Sequence, residues 1–323
     1  MTDPSVDESL QSAADAISSA REIALACHVS PDGDALGSML ALRDVLDAAG
    51  RPVVASFSEP FIIAPHYRML PGLDAIVPPG EFPDEPDVMV TFDSGSLDRL
   101  GDLEPAAKEA RELIVLDHHL SNDGYGTINV IDGTAAATGV LVRRLVDLLG
   151  LPLTRTAAID LYAALVCDTG RFQYESTTPS VFELARELSE FEIPIAELSR
   201  TLFEEHRFAY LRLLGEVLGR IELVPEKRVV WSYVSQADLA RHGVAYEEVE
   251  GLIDIVRRAR EAEVAVVLKE AADGLWRVSL RSLGDVDVSA VAAANGGGGH
   301  RFAAGFTSGD RPTVTLKRIL AAL

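Results

Sequence analysis

The stretch Ile23-Ala24-Leu25-Ala26-Cys27-His28-Val29-Ser30-Pro31-Asp32-Gly33-Asp34 decides how the chain is read. Five apolar residues in a row, closed by a polar loop, are too few for a helix and predict a buried strand. Beyond the loop, Leu36, Met39, Leu40, Leu42, Val45 and Leu46 recur at near-helical spacing until Gly50 ends the pattern. A buried strand, a short polar loop and an apolar-striped helix form the first part of a β-α-β unit.

The alternation continues. Val53–Phe57, Asp87–Phe92 and Leu113–Leu116 predict further strands, and residues 11–20, 138–149 and 156–167 predict helices, with the first ten residues polar and frayed. The expected fold is α/β, a doubly wound, mostly parallel sheet with helices on both faces. Residues 180–220 are mainly helical by pattern. From Arg228 a second, smaller α/β unit begins, with strands at Val229–Val234, Val264–Leu268 and Trp276–Leu280 and a helix around Val249–Arg260. The expected organisation is a domain over residues 1–195, a helical linker over 196–215 and a second domain over 216–323.

Composition sets limits on partners. Nearly half of the 323 residues are apolar and a quarter are charged, as in soluble globular proteins. The two cysteines, Cys27 and Cys167, do not make a disulfide scaffold and fit a reducing compartment. Residues 1–20 lack the pattern of a secretory signal, and no apolar run is long enough for a membrane span, so the cytoplasm is expected. A net charge of −21 without a basic stripe counts against tight binding to long duplex nucleic acid. A small anion reached through bound cations is compatible with it.

The residues suited to chemistry follow strands. His28, Asp32 and Asp34 sit in the loop after the first strand, Asp93 ends another, and Asp117-His118-His119 ends a third. Open α/β sheets place ligands at such carboxyl ends. Asp168, closing an apolar helical stretch, adds a fourth segment. Carboxylates suit hard divalent cations, and imidazole shifts the preference toward Mn²⁺, Fe²⁺ or Zn²⁺. The plain alternative for the first loop is a turn in which Asp34 caps the next helix. Two metals roughly 3.5–4 Å apart clamp an in-line displacement at phosphorus, and this set supplies enough ligands for them.

A second signal is Asn295-Gly296-Gly297-Gly298-Gly299-His300-Arg301-Phe302. Glycines let backbone N–H groups approach a phosphate, and His300 and Arg301 add side-chain donors. Flanking apolar structure argues against a flexible linker. Arg281-Ser282, at a predicted strand end, adds a guanidinium fork and a hydroxyl. Cys27 is expected to be a packed thiol facing away from His28. His66, His206 and His242 show no partner pattern.

In these residues the sequence resembles the DHH/DHHA1 phosphoesterase family, in its compact group acting as nano-RNases and pAp phosphatases. The resemblance is carried by His28-Val-Ser-Pro-Asp-Gly-Asp-Ala-Leu-Gly-Ser38, Asp93, Asp117-His118-His119, Asp168-Thr-Gly-Arg-Phe172 and the GGGGH stretch ending at His300, in family order over residues 20–310. It implies a metal-dependent enzyme with two Mn²⁺. His28, Asp32 and Asp93 would hold one ion; Asp34, Asp93, His118 and Asp168 would hold the other. His119 would face the substrate phosphate, and Asp117 would orient the cluster from behind. Gly297, Gly298, Gly299, His300, Arg281, Ser282 and Arg301 would bind the rest of the nucleotide. The implied substrates are short single-stranded RNA and pAp (3′-phosphoadenosine 5′-phosphate). Cyclic dinucleotides or pApA stand as the alternative substrates, and a non-catalytic nucleotide-binding module as the alternative of another kind. A homodimer is compatible with the pattern.

Overall fold

A computed structural model describes residues 4–323, with the side chains of Pro4 and His300 outside the described residues. The chain divides into two compact units, the break falling between Glu204 and Glu205. In the first unit the order is α1 (Pro4–Ser19), β1 (Ile23–Cys27), α2 (Gly33–Ala48), β2 (Val53–Ser56), β3 (Val88–Phe92), α3 (Glu104–Glu109), β4 (Glu112–Asp117) and β5 (Ile128–Ile131). Helices α4 (Thr138–Leu148), α5 (Arg155–Asp168), α6 (Pro179–Ser189) and α7 (Ile195–Phe203) complete it.

The five strands form one all-parallel sheet in the order β2-β1-β3-β4-β5. This is a doubly wound order, and its direction of winding switches between β1 and β3. Strand residues alternate between two faces. Ile23, Leu25 and Cys27 pack with α1, α2, α4 and α5, while Ala24 and Ala26 pack with Leu100, Leu103, Ala106 and Ala107. Both faces are covered, which is why the strands read as continuous apolar runs. Cys27 is fully buried in the first layer and Cys167 is part-buried beside Gly33, so both are packed, free thiols.

Residues 4–10 are helical rather than frayed. Val6, Leu10, Ala13, Ala14 and Ile17 make an apolar stripe that α1 buries in the core. Helices α2 and α5 cross closely at Gly37, where a Cβ would lie 2.4 Å from the Asp160 carbonyl oxygen. Only glycine tolerates that approach.

The second unit comprises α8 (Phe208–Gly219), β6 (Glu222–Val224), β7 (Val229–Val234), α9 (Gln236–His242), α10 (Leu252–Val256), β8 (Val264–Glu270) and β9 (Trp276–Ser282). There follow α11 (Val288–Ala293), β10 (Gly298–His300), β11 (Ala303–Ser308) and α12 (Pro312–Ala322). Its sheet, β10-β11-β9-β8-β7-β6, is mixed, with β7 and β8 parallel and the other pairs antiparallel. The helix read around Val249–Arg260 is one short helix, α10, preceded by a 3₁₀ turn at Tyr246–Val249. The segment read as a linker is divided between the units. Leu198 and Leu202 of α7 pack into the first core, and Tyr210, Leu213 and Val217 of α8 into the second. No helix among the described residues is long and apolar enough to cross a membrane.

Candidate functional site

The carboxyl ends of β1, β3 and β4 and the last turn of α5 bring His28, Asp32, Asp34, Asp93, Asp117, His118, His119 and Asp168 together. Three groups have potential ligand atoms within 4.8 Å of one another: His28 with Asp32 and Asp93, Asp34 with His118 and Asp168, and Asp93 with His118 and His119. Asp93 and His118 each belong to two groups, so the cluster is continuous. Asp93 follows β3 in a left-handed conformation, φ 55°, which turns its carboxylate back across the strand ends. That conformation is uncommon for a non-glycine residue, and aspartate is among the side chains that adopt it.

Each imidazole is oriented by one nitrogen and offers the other. His28 Nδ1 lies 2.8 Å from the Val29 carbonyl, which aims Nε2 at Asp93 Oδ2, 3.6 Å away. His118 Nδ1 lies 3.2 Å from the Ala135 carbonyl, and its Nε2 approaches Asp168 at 3.1 Å, Asp93 at 3.5 Å and Asp34 at 3.9 Å. His119 Nδ1 is 2.6 Å from Asp117 Oδ1, which fixes the orientation of the ring. Carbonyl or carboxylate partners on the far nitrogen are the usual arrangement of metal-binding histidines.

Asp117 is fully buried and does not join the donor groups. It accepts from the His118 and His119 N–H groups at 2.8 and 3.2 Å and from Asn122 Nδ2 at 2.6 Å. Asn122 also donates to the Ser94 carbonyl at 3.1 Å, tying the loop after β4 to the loop after β3.

The capping reading of the first loop is corrected by two positions. Asp32, not Asp34, caps α2, accepting from the Asp34 and Ala35 N–H groups at 3.1 and 3.0 Å. Asp34 instead lies on the amino end of α4. It accepts from the Thr138 N–H at 2.6 Å, the Gly139 N–H at 3.0 Å and Ser38 Oγ at 3.0 Å, while Thr138 Oγ1 donates to Asp93 Oδ1 at 3.2 Å. Thr138 and Asn122 are the polar residues that sequence reading missed; their roles depend on segments more than a hundred and 28 residues apart, respectively.

The electrostatics follow from this crowding. Burial and the Asp93 charge push Asp34 up to about 7, against the pull of His118. Burial and the charges of Asp34 and Asp93 push Asp168 well above the usual carboxylate range. Burial opposes ionisation of Asp93 as well, yet the neighbouring His28, 3.6 Å away, and the charges of His119 and His118 hold it well below that range. The site thus gathers more negative charge than its protein neighbours neutralise. That excess, the mixed oxygen and imidazole donors, and the single-sided orientation of each histidine all fit divalent cations.

In the second unit, Arg281 and Ser282 end β9. Arg281 is part-buried and donates to the Leu280 carbonyl at 3.1 Å; Ser282 is buried. The glycine run is not a free loop: Gly298–His300 form β10, paired with β11 at the sheet's edge. A Cβ on Gly297 would sit 2.1 Å from the Gly305 carbonyl oxygen, and Gly299 has φ 137°. Close strand packing therefore demands glycine at these two positions, while the outer edge of β10 keeps backbone groups unpaired by the sheet. Arg301 is exposed and donates to the Asp285 carbonyl at 3.2 Å. The side chain of His300 lies outside the described residues. His242, read as partnerless, has Nε2 2.8 Å from Glu216 Oε2.

Fold and cluster define a two-unit α/β protein whose first unit carries a carboxylate–imidazole centre at a topological switch point. Residues 22–170 match the model of the DHH family, N-terminal domain, and residues 226–323 match the DHHA1 domain. The chain is 32% identical to the bifunctional oligoribonuclease and PAP phosphatase NrnA of Thermus thermophilus, over 88% of this chain and 83% of that protein. It is 27% identical to the protein of the same name from Bacillus subtilis, over 86% of each. Among solved structures, an exopolyphosphatase-related protein from Bacteroides fragilis superposes with a TM-score of 0.89 at 24% identity, covering 98% of this chain and 95% of that one, which supports the fold. The chain belongs to the DHH/DHHA1 family of phosphoesterases, which are metal-dependent hydrolases.

Proposed function

We propose that the chain hydrolyses short oligoribonucleotides to mononucleotides and removes the 3′-phosphate of pAp, using two Mn²⁺ ions. The observation that carries this is the continuous cluster in which Asp93 and His118 each belong to two donor groups. Relatives named for oligoribonuclease and PAP phosphatase activity match over most of their length, which supports the substrate class.

In this reading His28, Asp32 and Asp93 hold one ion, and Asp34, Asp93, His118 and Asp168 the other. Bound there, the ions supply charge neutralisation at the phosphoryl group and a water of lowered pKa. The protein's part is placement. Asp117 fixes His119 through Nδ1, so that Nε2 faces the phosphoryl oxygens. Thr138 and Gly139 fix the Asp34 carboxylate with backbone N–H groups, which cannot swing away. His28 and His118 are held by main-chain carbonyls, so their Nε2 atoms need little reorganisation before binding. In the second unit the edge of β10 at Gly297–His300, with Arg281, Ser282 and Arg301, takes the remainder of the nucleotide.

Turnover of pAp, an RNA dinucleotide, an RNA five-mer, cyclic di-AMP and pApA is measured with Mn²⁺ added or chelated. Mn²⁺-dependent mononucleotide release from the RNAs, with phosphate from pAp, is expected. Cleavage confined to cyclic di-AMP and pApA would move the role to second-messenger turnover. Binding of nucleotides without hydrolysis of any of them would refute the enzymatic reading.

A further inference from the structure

Arg257, Arg258 and Arg260 put three guanidiniums into four residues of a chain whose net charge is −21. They lie between α10 and β8, at the end of the second sheet where β7 and β8 begin and β9 finishes. Arg228, in a left-handed turn with φ 52°, brings a fourth guanidinium there from the residue before β7. With Leu283 and Gly284 these arginines line a cavity of about 330 Å³.

Two of the acids around it are already engaged. Glu263 Oε2 pairs with Arg228 Nη1 at 3.0 Å, and its Oε1 accepts from the Val286 N–H at 3.0 Å. Gly284 makes room for that carboxylate, since a Cβ there would lie 2.5 Å from Oε1. Asp254 pairs with Arg257 Nε at 3.1 Å. Arg258 donates through Nε to the Asp254 carbonyl at 3.1 Å, and Arg260 is exposed without a carboxylate partner among the described residues. The wall also has an apolar part, Leu283, which is 61% exposed. Asp285, another lining residue, accepts from Arg301 through its carbonyl. The cavity therefore adjoins the sheet end that carries Arg281, Ser282 and Arg301, yet is walled by different residues.

Guanidinium forks match phosphate oxygens, an exposed leucine offers apolar surface to a ribose or base, and the volume suits one small ligand group. We propose that this cavity is a second phosphate subsite, which takes one phosphorylated nucleotide. The nucleotide is either the next unit of an RNA strand or a free mononucleotide. The subsite rests on the oligoribonucleotide reading for its first source and stands apart from it for the second.

The test uses the full-length double variant Arg258→Ser/Arg260→Ser. Both side chains are exposed, so the thermal midpoint is expected to match wild type. One arm measures kcat and KM for pAp and for RNAs of two to five nucleotides. If the strand is the source, KM for the four- and five-mers rises about five- to tenfold while pAp and the dinucleotide are unchanged. The salt dependence of log KM then falls by about 1.4 for the two lost charges. The other arm titrates AMP into metal-chelated protein by calorimetry. If a free nucleotide is the source, wild type shows one saturable AMP site more than the variant, which keeps only the site at Arg281, Ser282 and the edge of β10. An unchanged length profile together with unchanged AMP binding overturns the proposal. Failure of wild type to hydrolyse any RNA would sink the oligoribonucleotide reading instead, and the AMP titration would still decide the cavity.

Discussion

Replacing Thr138 by Val removes one atom's worth of function and little else. The side chain is fully buried and nearly isosteric with valine, so the fold is expected to persist. What disappears is the Thr138 Oγ1 donation to Asp93 Oδ1 at 3.2 Å; the backbone N–H bonds to Asp34 remain. A hydrogen bond to a carboxylate contributes about 1.5–3 kcal/mol. At 3.2 Å this one is long for a hydroxyl donor, and Asp93 Oδ1 keeps His119 Nδ1 at 3.4 Å and His118 Nε2 at 3.5 Å, so the lower end applies. About 1.5 kcal/mol corresponds to roughly tenfold in affinity, at the low edge of the 10–100-fold effect of losing a ligand's outer partner, in approximate terms. Calorimetric titration of Mn²⁺ into chelated protein is expected to show a dissociation constant about tenfold higher for Thr138→Val and near wild type for Thr138→Ser. A wild-type constant for Thr138→Val would refute the orienting role. An equal loss in both variants, with a collapsed thermal midpoint, would reduce Thr138 to a packing residue.

Asp93→Asn, which retains a side chain that tolerates the left-handed backbone, is expected to abolish turnover while circular dichroism and the thermal midpoint stay close to wild type; residual activity near wild type would remove Asp93 from the centre. Asp160 is fully buried with neither carboxylate oxygen hydrogen-bonded among the described residues, and burial pushes its pKa well above the usual range. A raised folded pKa means the folded state holds a proton that the unfolded chain releases above about 4, so this group's contribution falls as pH rises from there. Asp160→Asn should therefore stabilise the protein at pH 7 by at least about 1 kcal/mol and have little effect at pH 3.5, measured by urea unfolding. The opposite sign holds for Asp238, where burial raises the pKa but Arg220, at 2.6 Å, and Ser235 outweigh it and hold the carboxyl well below its usual range. That stability is present above about pH 4 and fades as pH falls through the folded value, so Asp238→Asn should destabilise at pH 7 and converge with wild type in acid. Gly37→Ala forces a Cβ to 2.4 Å from the Asp160 carbonyl oxygen and is expected to cost about 1–3 kcal/mol in the same unfolding assay.

The parallel sheet was legible in the sequence because its strands are buried on both faces and so leave short unbroken apolar runs. Strand β5, Ile128-Asn129-Val130-Ile131, was not, because Asn129 interrupts the run at the sheet's edge. Strands β10 and β11 were hidden by glycine and alanine, whose reason for being there is tertiary: Gly297 and Gly299 let β10 lie against β11. The amino-terminal helix was underestimated because its stripe includes the small residues Ala13 and Ala14, which carry little hydrophobic signal singly. At the centre, residues placed at strand ends could be named from sequence, since parallel strands all deliver their carboxyl ends to one edge. Thr138 and Asn122 could not. A threonine at a helix start and an asparagine in a loop are ordinary, and only the packing of α4 against α2, and of one strand-end loop against another, gives them Asp34, Asp93 and Asp117 as partners.

The position of the cluster follows from topology more than from any single residue. Where winding reverses between β1 and β3, the helices that follow these strands diverge to opposite sides and leave the strand ends open. His28 and Asp93 stand on those two ends, and Asp93 closes the remaining distance by its left-handed turn. The amino end of α4 then points into the opening, so its free N–H groups meet a carboxylate, Asp34, rather than water. That helix end stabilises one negative charge; the cluster holds Asp32, Asp93 and Asp168 besides. The upward shifts of Asp34 and Asp168 come from burial and from neighbouring carboxylate charges that the nearby histidines do not offset. A fold that sought stability alone would have placed apolar or neutral side chains there. The same excess predicts that chelated protein is the less stable form, and that Mn²⁺ raises the thermal midpoint by an amount that grows with the logarithm of its concentration above the dissociation constant. A midpoint indifferent to Mn²⁺ would mean that protons alone satisfy the cluster, and the two-ion reading would fall with it.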